Sequence, residues 1–146
     1  MQGGFGSRPG IFWWTAVSAV LMVVGGFGPW AKALGVSISG TDGGDGWFLI
    51  IGGLLAGGLL FVQVARAGAR WPMILALLLG ALGALVAVVD LNDINNLGAD
   101  DAFLADVVDT GWALYVSLIA SLSLILASIA TLVRRPYVAA AEGLAV

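Results

Sequence analysis

Four long apolar runs, broken by short polar stretches, set the pattern of this chain. They cover 11–31, 47–65, 72–89 and 112–133, and no Asp, Glu, Lys or Arg falls inside any of them. A helix needs ~20 mostly apolar residues to cross the ~30 Å of hydrocarbon in a bilayer. Backbone N–H and C=O groups find no partner in lipid, so each spanning segment must satisfy them within a helix. The pattern predicts an all-α fold: one integral membrane four-helix bundle over 1–146, with short tails at 1–10 and 134–146.

The polar stretches predict two acidic outer loops. In the first, Val36 to Ser39 alternates apolar and polar residues, which fits a short strand or edge, and Asp42 to Gly46 reads as a glycine-rich turn. The second carries Asp90, Asn92, Asp93, Asn95 and Asn96. It is then expected to form a short amphipathic helix over 101–109, with Asp100 as its N-cap. Phe103, Leu104, Val107 and Val108 fall on one side of that helix, and Asp101, Asp106 and Asp109 on the other. The outer-loop candidates for recognition are Asp42, Asp45, Asp93, Phe103 and Val107. Such acids could gather a hard cation, but Asp42 to Gly46 lacks the spacing and terminal Glu of an EF-hand. A solvated turn is the expectation, and no metal or cofactor is assigned.

Charge orients the spans. Arg8, Arg66, Arg70, Arg134 and Arg135 fall on one side if all four runs cross, with Lys32 alone opposite. The positive-inside rule then puts both termini in the cytoplasm. Eight acids, Asp42 to Asp109, lie on the outer side. Trp13, Trp14 and Trp71 fall at inner ends, and Trp30, Trp47 and Trp112 at outer ends, so all six are candidate interface anchors. Arg8, the first run and Ala31-Lys32-Ala33 also resemble a cleavable signal, but the length of the run and its Trp flanks suit an anchored helix better.

Small residues recur at helical spacing inside the runs. Gly52, Gly53, Ala56 and Gly57 do so in the second, Gly80 and Ala84 in the third, and Ser117 and Ser121 in the fourth. Small residues let helix backbones approach closely in lipid. They mark either packing within the chain or a docking face for another subunit. The span serines can return hydrogen bonds to their own helix. Gln63, the one amide in a run, is expected to bond to a neighbouring helix or interfacial water. The two halves look alike: Gly46-Trp47 opens the second run and Gly111-Trp112 the fourth, each after an Asp. Shared interface chemistry accounts for this more simply than a transport repeat.

Composition narrows the function. The chain is 60% hydrophobic and 10% charged, and its mean hydropathy is +1.04. That excludes an ordinary soluble domain and a disordered one. With no Cys and no His there are no disulfides, thiolate nucleophiles or His ligands, and the commonest general base is missing. A net charge of −3 with no basic run leaves no nucleic-acid footprint.

The Ser39-to-Trp47 stretch and the Gly111-Trp112 opening resemble a group of small four-span membrane proteins of high-GC Gram-positive, actinobacterial type. That resemblance implies a bacterial plasma membrane protein and carries no catalytic residue. The expected role is non-enzymatic: an accessory or scaffold subunit that packs against other membrane proteins, with membrane lipids and other subunits or further copies as partners. The alternative is a small transporter, channel or lipid- or quinone-binding protein acting as an oligomer.

Overall fold

The computed structural model describes residues 9–66, 69–100 and 107–133. Residues 1–8 and 134–146 of the two tails, and with them Arg8, Arg134 and Arg135, lie outside the described residues, as does Phe103; Pro9 and Gly10 open the first helix. Four helices are long and apolar enough to cross a membrane. They are α1 (Pro9–Phe27), α3 (Gly46–Ala65), α4 (Trp71–Asp100) and α5 (Trp112–Val133), and α2 (Gly40–Gly43) is a single short turn.

The first helix is shorter than the apolar run that encodes it. It stops at Phe27, not near Ala31, because Pro29 has no N–H to continue the ladder and disfavours helix in the residue before it. Its last regular bond runs from Gly28 N to Val24 O at 3.1 Å. Hydropathy alone read through Pro29-Trp30, since both suit a buried environment. The third helix errs the other way. It was expected to end at Val89 and give way to a loop, yet α4 continues unbroken to Asp100, 30 residues in all. At 1.5 Å per residue that is about 45 Å, well beyond the hydrocarbon thickness. Leu91 and Ile94 explain the extension, since they pack against the core among the polar residues of this segment.

Around the core, α1 lies between α3 and α5, and α4 lies between α5 and α3, with the α3/α4 seam the thinnest. Met22, Leu49, Leu114 and Leu124 fill the centre with Ala19, Ala56, Ala87 and Ala120. A second cluster, Leu60, Met73 and Ala76 with Phe12 and Leu132, fills the Arg66 end. Outward faces carry Val20, Leu54, Leu78, Leu82, Ile119 and Leu126, all exposed. Continuous apolar surface of this kind marks a membrane or protein contact.

The chain is mostly helical, as expected, but not all-α: it adds three strands, β1 (Pro29–Ala33), β2 (Val36–Ser39) and β3 (Val108–Thr110), in the order β2-β1-β3 and antiparallel throughout. The strand expected at 36–39 is present. The helix expected to reach Asp109 does not, since Val108 and Asp109 pair with Ala33 and Lys32 of β1. Three residues gain more from a ready-made ladder than from a last helical turn. Residues 101–106 of that expected helix lie outside the described residues.

Leu34 and Gly35 join β1 to β2, with φ of 51° and 80°. Both central residues are left-handed, as a two-residue hairpin that matches strand twist requires. Asn, Asp and Gly suit that turn and Leu does not. Leu34→Asn is therefore expected to stabilise the folded chain by about 1 kcal/mol, the cost of a left-handed L-residue. A denaturation midpoint in detergent checks this, and an unchanged midpoint refutes it.

Candidate functional site

The end of the molecule that holds the sheet is organised by one tryptophan. Trp30 was expected as an interface anchor; it is instead buried, 6% exposed. A bulge in β1 between Pro29 and Ala31 turns it out of the strand register. Its indole Nε1 donates to Gly25 O at 2.8 Å. In a continuous helix Gly25 O would accept from residue 29, and residue 29 is proline. The indole thus supplies the donor that the proline removes. Glycine makes the slot, since a Cβ on Gly40 would come 2.6 Å from Trp30 Nε1 and 2.7 Å from Gly26 O.

The two Gly-Trp openings share a structural cause. A Cβ on Gly46 would lie 2.5 Å from Gly26 O, and one on Gly111 would strike the Pro29 carbonyl. Both glycines press against the backbone where α1 becomes β1, and Gly111 N donates to Trp30 O at 2.6 Å. The following residues, Trp47 and Trp112, stay exposed, as do Trp13, Trp14 and Trp71. Phe27 and Trp47 meet edge to face at 6.3 Å.

The acids sit apart from one another in role. Asp42 closes the end of β2: its Oδ2 accepts from Ser39 N at 2.9 Å and from Ser39 Oγ at 2.8 Å. Those two bonds, the backbone one foremost, hold its carboxyl below the usual carboxylate range. Because the folded value is depressed, the contribution is present at neutral pH and is lost as pH falls through that lowered value. Ser39→Ala is expected to move the Asp42 titration back up, since it removes the hydroxyl donor; carboxyl NMR reads it. Asp45 precedes α3 without capping it. Asp90 Oδ2 is enclosed with no hydrogen-bond partner among the described residues. Among the described residues no three acids could hold one metal ion. Val107 is half-buried, and its carbonyl accepts from Leu34 N at 3.3 Å.

The small-residue faces divide into used and unused. Gly53 packs on α1, where a Cβ would meet Ala19 O at 2.7 Å; Gly52 touches Met22, and Ala56 is fully buried. Gly80 faces Ser121 O and Ile125 on α5, and Ala84 is half-buried. Ser117 is buried and donates to Ala113 O at 2.9 Å, returning its bond to its own helix. Ser121 is buried too, and its Oγ has no partner among the described residues. Across the α1/α5 seam, Trp14 Nε1 donates to Ser123 Oγ at 2.6 Å, and Ser18 Oγ to the same oxygen at 2.9 Å. Gln63 is half-buried, and its Oε1 has no partner among the described residues.

Gly57 and Gly58 are the exceptions. A Cβ on either meets nothing within 4 Å. They floor a groove of about 630 Å³ between α1 and α3, walled by Phe12, Trp13, Val20, Leu54 and Phe61. A smaller cleft of about 250 Å³ follows the α3/α4 seam and is lined by Leu55, Leu59, Leu75, Leu78 and Leu79. The sequence marked Gly57 but gave no sign that its face would stay open while that of Gly53 closed. Both glycines sit at small-residue spacing, and what separates them is the neighbour each meets: Ala19, Met22 and Val23 for Gly53, nothing within 4 Å for Gly57. Trp30 was misplaced although its signal was present, a proline four residues after a glycine with an indole beside it.

No family model, curated protein or solved structure matches the chain. The resemblance to an actinobacterial group therefore gains no family or taxonomic support.

Proposed function

We propose that the chain is a non-enzymatic, multi-pass protein of a bacterial plasma membrane, with both termini cytoplasmic. Its role is that of an accessory or scaffold subunit which packs against other membrane proteins. The open glycine floor of the α1/α3 groove carries this reading. Lipid offers no hydrophobic drive for helix association, so partner helices meet where small residues allow close backbone approach. Gly52, Gly53, Ala56, Gly80, Ser117 and Ser121 serve that purpose within the chain, which leaves Gly57 and Gly58 for a partner. The exposed tryptophans, apart from buried Trp30, suit anchorage among membrane lipids. With no Cys and no His, the chain is poorly supplied for catalysis.

Native purification in mild detergent, with mass spectrometry of what co-elutes, tests the reading. Wild type is expected to bring down a stoichiometric membrane subunit. Gly57→Leu is expected to lose it while staying folded, because a Cβ there meets nothing within 4 Å and the groove leaves about 630 Å³ for the rest of the side chain. A clean homo-oligomer that carries a specific lipid or quinone would move the weight to a small lipid-binding protein or transporter. The all-leucine α3/α4 cleft favours that second reading.

A further inference from the structure

The three strands carry unlike residues on their two faces. Residues paired directly across a ladder share a face. Ala31 pairs with Ile38 and Thr110, and Ala33 with Val36 and Val108, so one face is largely apolar. Lys32 pairs with Ser37 and Asp109, so the other is polar and carries both charges of the sheet. The apolar face is only half covered. Ala31, Ala33 and Val108 are half-buried, but Val36 is 65% exposed and Ile38 42%. At the turn Leu34 is 76% exposed in a left-handed conformation that favours Asn or Gly. Nothing among the described residues repays that choice of residue.

Strand pairing does not explain this exposed edge. In a two-residue hairpin the pair flanking the turn exchanges both backbone bonds, so Val36 and Ile38 spend theirs on β1. The outward groups belong to Ser37 and Ser39, and the Ser39 N–H is already held by Asp42. One free residue is too short an edge for another strand. The position favours lipid instead. The strand β1 starts at Pro29, two residues past the end of α1, where Phe27 and Trp47 already face outward. The hairpin thus begins beside apolar helix surface that is itself exposed.

We propose that the β1–β2 hairpin is an amphipathic foot: Val36 and Ile38, with Leu34 at the turn, rest on the lipid surface of the outer leaflet. Lys32, Ser37 and Asp109 then face water, the arrangement by which amphipathic segments lie in a membrane interface. This rests on the reading that the four helices span the bilayer.

The chain has no cysteine, so single spin labels can be placed freely. Val36→Cys, Ile38→Cys and Ser37→Cys, with Leu54→Cys as an exposed α3 control, would be labelled in the full chain. Reconstitution into phosphatidylcholine–phosphatidylglycerol vesicles would follow, with collisions read against oxygen and a nickel chelate. Labels at 36 and 38 are expected to favour oxygen several-fold over nickel, as at 54, while 37 favours nickel. Nickel-favoured labels at 36 and 38 with an oxygen-favoured label at 54 would overturn the foot and leave the spanning helices standing. A nickel-favoured label at 54 would remove both. Dipolar broadening at 36 that disappears on dilution with unlabelled chain would put a second copy on this face, and also overturns the proposal.

Discussion

Gly111→Ala is expected to destabilise the chain by about 3 kcal/mol or more, at the upper end of what overpacking costs. The new Cβ would strike the Pro29 carbonyl oxygen and approach the carbonyl carbons of Pro29 and Trp30 to 2.5 and 2.8 Å. All of these are backbone atoms, so no rotamer change relieves the clash. Displacing them would also stretch the bond from Gly111 N to Trp30 O, which ties the start of α5 to β1. Gly46→Ala is expected to cost a similar amount, because its Cβ meets Gly26 O and the Gly40 carbonyl carbon at 2.5 Å. Gly57→Ala and Gly58→Ala are the controls. Their Cβ atoms meet nothing, so alanine should gain roughly 0.5–1 kcal/mol from helix propensity alone. An SDS titration in mixed micelles, with each midpoint read against wild type, separates the two pairs. If Gly111→Ala unfolds no earlier than Gly58→Ala, the close approach is absent in the folded protein.

The helices were legible because each signal is redundant. A run of eighteen or more apolar residues has one solution in lipid, and Trp112–Val133 needed nothing else. The boundaries at Phe27 and Asp100 were less legible, since each depends on one competing effect that hydropathy averages away. At Phe27 the effect is a missing N–H on Pro29. At Asp100 it is the pair Leu91 and Ile94, which gives a polar segment a buried side. The sheet was legible only where strands alternate. Val36 to Ser39 showed the period of two. Pro29 to Ala33 and Val108 to Thr110 are strands because they lie beside each other in space, which no local pattern records.

The candidate site was legible in its residue types more than in its arrangement. Small residues at helical spacing pointed to close packing, and the structure divides them by neighbour: Gly53 meets α1, Gly80 meets α5, and Gly57 meets nothing. The division follows from which helices pack against which, a property of all four together. The likeness of the two Gly-Trp openings had looked like common interface chemistry. It has a sharper cause, because Gly46 and Gly111 both rest on the backbone between Gly26 and Trp30.

Trp30→Ala is expected to cost about 3–5 kcal/mol, the usual range for truncating a buried aromatic. Its two contributions can be separated. Trp30→Phe keeps most of the ring and loses only the indole donor, which leaves Gly25 O buried without a partner. That variant is expected to cost about 1–3 kcal/mol. The reason lies one residue earlier, since Pro29 cannot donate the helical bond that Gly25 O would otherwise accept. Pro29→Ala restores an N–H at that position. In the Pro29→Ala background, Trp30→Phe should therefore cost less than it does alone, and the difference is the coupling energy of a double-mutant cycle. Denaturation midpoints of the four proteins supply it. Additive costs would mean that the indole is held by packing in its glycine slot, and that the proline and the tryptophan are neighbours without being partners.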